Sequence, residues 1–321
     1  MIVTHNPGSL PYDRLAGGSA VTIGTFDGMH IGHRNLLETL LERSSKLGVP
    51  SVVMSFEPTP GEFFSKGTPP ARLMCFREKF DALRDSGVDM FFCPRFDKKM
   101  RDIEVDTFIR QLLVHGLNAD ALVVGDDFRF AKNRGGGVDD LRRVGAAVNM
   151  EVIRVDSVLV DGERVSSTAV RDALADGRMD RARGLLGRPY RMSGKVIEGK
   201  KLGRKLGFPT ANFALNRMTS PVMGVFAARV AGIEDSSLDA VISVGTRPTF
   251  HGTKTIIESH IFDFDGDLYG KRIHVDFIAK LRDELMFDDA DALVEQMNID
   301  AANARQMLAD DAAQFENQEA V

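Results

Sequence analysis

The stretch Ala20-Val21-Thr22-Ile23-Gly24-Thr25-Phe26-Asp27-Gly28-Met29-His30-Ile31-Gly32-His33 decides the fold of this chain. The run Ala20 to Ile23 reads as the end of a buried strand, and Gly24 and Gly28 let the backbone turn tightly after it. Beyond the turn, Leu36, Leu37, Leu40, Leu41 and Leu47 recur with helical spacing and stop at Gly48, a glycine suited to end a helix. His30 and His33 therefore fall on the first turn of that helix and, at i and i+3, share a face. Unsatisfied N–H groups and the positive dipole end make such a turn an anion site, and two imidazoles there suit a triphosphate. Gly32 costs the helix about 1 kcal/mol and fills no core, so close approach of a ligand is its expected use.

Strand-like and helix-like stretches alternate through the first half. Val49 to Phe56, Asp89 to Cys93, Ala119 to Gly125 and Glu151 to Val155 read as short buried strands. Arg72 to Ser86, Val105 to His115 and Val138 to Ala147 read as helices, which predicts a parallel α/β sheet with helical crossovers. Ligands of such sheets bind beyond the carboxyl ends of the strands, where the histidine turn lies.

Other loops should converge there. Ser55-Phe56-Glu57-Pro58-Thr59-Pro60 follows a strand and is too proline-rich to be helical. Gly125-Asp126-Asp127-Phe128-Arg129-Phe130 follows another with two acids, a cation and two aromatic faces. Ser166-Ser167-Thr168 opens a helix containing Arg171, and an arginine one turn into a helix opposes the dipole unless an anion neutralises it; phosphate is the natural partner. Phe56, Phe128 and Phe130 are aromatic candidates for stacking on a planar ring.

Composition bounds the rest. A length of 321 residues with 43% hydrophobic content suffices for two cores, and a net charge of −5 excludes a general nucleic-acid binder. No run of 18 apolar residues and no signal-like start occurs, so a cytoplasmic protein without membrane contact is expected. Cys75 and Cys93 lack the neighbours of a zinc site and read as buried free thiols. Association into oligomers is possible but is not encoded in any readable pattern.

After Leu186-Gly187-Arg188-Pro189 the pattern changes. Arg191 to Ile197, Met223 to Ala231, Leu238 to Val244, Ile256 to Phe264 and Arg272 to Ile278 are closely spaced β-like runs, which imply an antiparallel barrel, with a helix from Asp289 to Gln314 packed on it. Within it, Gly199, Gly203 and Gly207 alternate with Lys200, Lys201, Arg204 and Lys205 as a flexible, positive phosphate cradle. In Phe208-Pro209-Thr210-Ala211-Asn212, Thr210 and Asn212 point the same way if the chain is extended and offer two neutral oxygens to Mg²⁺.

The order GTFDGMHIGH, SFEP, VVGDDFRF, VSSTAVR, then GKKLGRKLGFPTAN, PVMGVFA, GTRPTF and LRDE resembles the bacterial bifunctional riboflavin kinase/FMN adenylyltransferases. The resemblance spans nearly the whole chain and implies an α/β Rossmann-like HxGH nucleotidyltransferase domain over residues 1–186, then an antiparallel β-barrel riboflavin kinase domain with a C-terminal helix over 187–321. It implies riboflavin, FMN and ATP as substrates and Mg²⁺ as cofactor. His30 and His33 become catalytic, as does Glu258, the implied base for the ribityl hydroxyl. Nucleotide binding falls to Gly24, Phe26, Asp27, Gly32, Ser166, Ser167, Thr168, Arg171, Gly199, Gly203, Arg204 and Gly207, flavin binding to Asp127, Phe128 and Arg282, and the metal to Thr210 and Asn212. Two departures stand in one loop: Ala131 replaces the family's Gly, and Gly137 its Asp, so altered affinity or loop order is expected there with the reactions intact. A class I aminoacyl-tRNA synthetase shares the histidine element, but its Lys-Met-Ser-Lys-Ser-like loop and anticodon-binding module are missing from the sequence. A flavin-binding regulator without turnover would not need His30, His33, Thr210, Asn212 and Glu258 together.

Overall fold

A computed structural model describes residues 1–198, 207–213, 215, 217–249 and 252–319. By packing, the chain forms two compact units: Met1–Pro70 with Phe76–Ser166, and Ala71–Cys75 with Ser167–Val321.

The first unit is built on a six-stranded sheet. Its strands are β1 (Ile2–Thr4), β2 (Ser19–Ile23), β3 (Ser51–Met54), β4 (Met90–Phe92), β5 (Ala119–Gly125) and β6 (Glu151–Val155), in the order β1-β4-β3-β2-β5-β6. All neighbours are parallel, with Ala20 opposite both Ser51 and Ala121. Every residue of β2 is buried, the reason it reads as a continuous apolar run rather than an alternating one. Helix Ile31–Leu47 follows β2 and ends at Gly48 with φ 67°, and helices Phe76–Asp85 and Val138–Ala146 complete further crossovers. The helix read over Val105 to His115 starts as an α-turn at Val105–Thr107 and continues as a π-helix over Phe108–Gly116, a winding that apolar spacing does not reveal. The proline-rich segment after β3 is a loop through Thr59, which caps the short helix Pro60–Phe64, whose first position accepts proline because its N–H would have no partner. A small hairpin pairs β7 (Leu159–Val160) with β8 (Glu163–Arg164).

From β2 the chain steps to β3 and β4 on one side, then to β5 and β6 on the other. The reversal lies between β2 and β5, the crevice where ligands of such sheets bind. The turns after β2 and β5 are the two that carry His30, His33, Asp127 and Phe128.

The second unit is a closed antiparallel barrel of β9 (Tyr190–Ile197), β10 (Ala211–Phe213), β11 (Gly224–Ala231), β12 (Leu238–Thr249), β13 (Gly252–Ile261) and β14 (Arg272–Arg282), ordered β10-β13-β12-β11-β14-β9. Five strands were expected; the sixth, β10, is three residues long and closes the barrel between β13 and β9. The outer side of β11, β12 and β14 is covered by helix Ala290–Glu319, with Ala304 and Leu308 packed on Ala227, Phe262 and Ile278. Asp311 of that helix accepts from Arg183 Nη1 at 2.5 Å and Arg229 Nη1 at 2.6 Å.

Packing begins the second unit at Ser167, twenty residues before the change of sequence pattern at Gly187 (187 − 167 = 20). The helices Ser167–Ala175 and Met179–Leu186 look like a continuation of the α/β alternation, yet Met179–Leu186 lies on β9 and β14. Segment Ala71–Cys75 belongs to this unit as well: Tyr190 Oη donates to Leu73 O at 2.9 Å, and Arg217 Nη1 to Arg72 O and Leu73 O at 3.0 and 3.1 Å.

Candidate active sites

The histidine turn is held in a costly backbone conformation. Phe26, Gly28 and Met29 have φ of 48°, 90° and 48°, and the two non-glycines would each relax elsewhere by roughly 1–3 kcal/mol. His30 is the N-cap of helix Ile31–Leu47, and its Nδ1 accepts from His33 N at 3.2 Å. With Nδ1 an acceptor, neutral His30 carries its proton on Nε2. The rings of His30 and His33 stack with centroids 3.6 Å apart, and Phe26 lies 5.0 Å from His33. Gly32 has a use inside the protein: a Cβ there would lie 3.3 Å from His30 Nδ1 and crowd the capping ring. A Cβ at Gly24 would likewise press on the Phe26 ring at 3.0 Å. Asp27, His30 and His33 are buried. Burial above all, then His30 and Lys79, hold His33 well below the usual imidazole range, so it is neutral at pH 7, and its buried Nδ1 has no hydrogen-bond partner.

Beyond β5, Asp127 pairs with Arg164 at 2.6 Å, while Asp126 accepts from the hydroxyl and N–H of Ser157 at 2.7 and 3.2 Å. The Ser157 hydroxyl bond holds the Asp126 carboxyl below its ordinary value. Of the three aromatic candidates, Phe56 and Phe130 are core residues; Phe128 is half-buried and stacks on Phe130 at 5.5 Å. Ala131 has φ 62° and ψ −172°, a region that glycine alone occupies readily. At Gly137, a Cβ would lie 2.8 Å from Arg129 Nη1, so the guanidinium holds the space a larger residue needs.

The division between units falls inside the Ser-Ser-Thr motif. Ser166 belongs to the first unit, whereas Ser167, Thr168 and Arg171 belong to the second. Arg171 Nε donates to Ala71 O at 2.6 Å, giving the guanidinium a carbonyl partner within its own unit.

In the barrel, Glu258 stands opposite Asn212 on one side and Ser243 on the other. Residues directly opposite in antiparallel strands share a face, so the amide and carboxyl groups flank each other. Thr210 lines a cavity of 560 Å³ whose wall includes Ser259, Asp267, Leu268 and Tyr269. His260, two residues beyond Glu258, donates from Nδ1 to Pro209 O at 3.0 Å and so fastens the segment that carries Thr210. Gly207 takes φ 82°; Gly199, Gly203 and Arg204 lie outside the described residues. Arg282 is held by Asp300 of the C-terminal helix, with Nε to Oδ1 at 3.0 Å and Nη2 to Oδ2 at 2.7 Å. Thr210 and Asn212 supply neutral oxygens only, a donor set that fits Mg²⁺ whose other ligands are nucleotide phosphates. Among the described residues no cluster of three or more His, Cys, Asp or Glu forms a protein-only metal site.

Sequence reading missed Lys79, His260 and Asp300. Only Lys79 left a trace, as a lysine four residues before buried Leu83 on the apolar row of a helix.

Residues 13–169 match the family model described as FAD synthetase, and residues 186–308 match the one described as riboflavin kinase. The bifunctional riboflavin kinase/FMN adenylyltransferase of Escherichia coli K12 is 42% identical over 304 residues, covering 95% of this chain and 96% of the relative. The chain belongs to that family. As a bifunctional riboflavin kinase/FMN adenylyltransferase family member it is a transferase of FAD biosynthesis, phosphorylating riboflavin to FMN with ATP and adenylylating FMN to FAD with release of pyrophosphate. The Pseudomonas fluorescens family member is 44% identical over 293 residues, 91% of this chain and 94% of its own. A crystal structure named a macrolide-efflux protein from Streptococcus pneumoniae shares the fold, with TM-score 0.81, 30% identity and coverage of 95% of this chain and 98% of that one. Among the described residues of this family member, no helix is long and apolar enough to cross a membrane.

Proposed function

We propose that the two reactions run at separate sites: riboflavin phosphorylation on Thr210, Asn212 and Glu258, FMN adenylylation on His30 and His33. One observation carries this reading: the two sets share no packing unit. Glu258 takes the proton of the ribityl 5′-hydroxyl as that oxygen bonds to the γ-phosphorus of ATP and ADP departs. Its place opposite Asn212 supports this role, since substrate hydroxyl and metal-bound phosphate must meet. Thr210 and Asn212 would hold Mg²⁺, which neutralises phosphate charge when bound. Gly199, Gly203, Arg204 and Gly207 cradle the phosphates of this ATP, and Arg282 contributes to flavin binding.

In the second reaction a phosphate oxygen of FMN bonds to the α-phosphorus of a second ATP as the bond to pyrophosphate breaks. FMN phosphate is already ionised at neutral pH, so no protein base is required. His30, through Nε2–H, and neutral His33 orient the phosphates. Gly24, Phe26, Asp27 and Gly32 shape that nucleotide site, and Asp127 and Phe128 bind flavin; Ser166, Ser167, Thr168 and Arg171 are assigned to phosphate from the sequence motif alone. Adenylylation is thus assigned to residues 1–186 and phosphorylation to 187–321, although packing of the second unit begins at Ser167. The cytosol suits this chemistry and the two buried cysteines, neither of which is in a disulfide.

Chromatography of riboflavin incubated with Mg²⁺-ATP tests the whole proposal: FMN accumulates first and FAD follows. Formation of FAD without FMN as an intermediate would overturn it.

A further inference from the structure

Lys79 is 3% exposed, a burial that lysine almost never reaches. It lies on helix Phe76–Asp85, and its ammonium donates to Ser55 Oγ across 3.4 Å. Ser55 Oγ in turn donates to Thr25 O across 3.3 Å. Thr25 directly follows Gly24 and precedes left-handed Phe26, so a buried positive charge is connected through one hydroxyl to the turn that presents His30 and His33. Lys79 is also close enough to depress the basicity of His33. Among the described residues, His30 and then Lys79 are the charges that depress His33; the Phe26 ring beside it is uncharged.

This arrangement resolves a difficulty in the histidine site. Two imidazoles stacked at 3.6 Å repel one another when both are cationic, and His33 is held neutral. Neutral His33 can donate a hydrogen bond to a triphosphate but supplies no positive charge. Negative charge nonetheless grows on the departing pyrophosphate, and a fixed cation in a low-dielectric interior acts on it more strongly than one in water.

We propose that Lys79 is the electrostatic positioning residue of adenylyl transfer: its buried ammonium adds positive potential behind the turn that presents His30 and His33, and its bond to Ser55 steadies that turn. It acts through Ser55 and through its field, without touching substrate. The inference rests on the reading that His30 and His33 receive the phosphates of ATP.

The test uses the full-length protein with Lys79→Met, Lys79→Gln, Lys79→Arg and His30→Ala. FAD formation from supplied FMN, riboflavin phosphorylation and the NMR titration of His33 without ligand are measured for each. Lys79→Met and Lys79→Gln should lower kcat/KM for FAD formation by about 30-fold or more, mainly through kcat, with riboflavin phosphorylation within about twofold of the parent. Both should move the His33 titration upward, and Lys79→Arg should restore most of the activity. Gln retains a donor for Ser55, so it separates charge from hydrogen bonding even if Met unfolds the first unit. FAD formation near the parent rate in Lys79→Gln, or an unmoved His33 titration, overturns the inference. If His30→Ala also leaves FAD formation intact, the reading of the histidine site itself has failed; if His30→Ala abolishes it while Lys79→Gln does not, only the role of Lys79 is lost.

Discussion

The histidine turn and the Asn212–Glu258 row, proposed to solve the same problem of holding a nucleotide against a flavin, are built from opposite materials. In the turn, two non-glycine residues sit at φ 48°, two imidazoles stack in a buried pocket and a lysine is sunk behind them. In the barrel, the proposed residues sit on ordinary extended backbone, aligned by strand register, and the metal donors are neutral. Preorganisation at the first site is stored in backbone conformation and desolvated charge. At the second it comes free with the sheet, and the proposed chemistry leaves the work to one carboxylate and a cation carried in with the substrate.

If the contrast is right, the two sites fail independently and by different amounts. The largest effect belongs to Glu258→Gln, which removes the base and keeps the shape: riboflavin phosphorylation should fall by about 10³-fold while conversion of supplied FMN to FAD is unchanged. A loss shared by both reactions in a folded variant would erase the distinction. Next come His30→Ala and His33→Ala, each lowering FAD formation by about 10²-fold or more with riboflavin phosphorylation retained, as separate assays on FMN and riboflavin would read out. Asn212→Asp sharpens the contrast from the barrel side. A carboxylate in place of a neutral amide should shift the Mg²⁺ concentration for half-maximal kinase rate by about tenfold and leave adenylylation alone; an unshifted Mg²⁺ curve removes Asn212 from the metal site. The smallest effect is structural. Ala131 holds a conformation suited to glycine, so Ala131→Gly should stabilise the first unit by about 1 kcal/mol in urea unfolding, and a destabilised variant would mean that the loop is not strained.

The contrast also explains what could be read in advance. β2 is buried throughout and β5 from Ala121 to Val124, so both appear as largely apolar runs, and Gly48 stops its helix as glycine does. A turn built from glycines and histidines writes its peculiarity in residue types. Register leaves no such mark: that Asn212 meets Glu258 depends on a three-residue strand, β10, too short for any periodicity to declare. Glu258 was singled out from 46 acidic residues only by family resemblance. Lys79 was passed over because lysine ordinarily belongs to the surface, and burial of a charge is decided by packing remote in sequence. Asp300 and Arg282 meet across 18 positions through the fold of the C-terminal helix, and His260 finds Pro209 across 51. Neither pairing is a local property of the chain.

Segment Ala71–Cys75 carries one more consequence. Because five residues of the second unit (75 − 71 + 1 = 5) are supplied from within the first, the polypeptide passes between the units three times: before Ala71, after Cys75 and before Ser167. A single protease nick between Ser166 and Gly187 therefore does not free the barrel of its remote strip. Two genes cut at that junction would likewise leave the Tyr190 hydroxyl and the Arg217 guanidinium without the Leu73 carbonyl they share. The two activities are stitched into one chain rather than joined end to end.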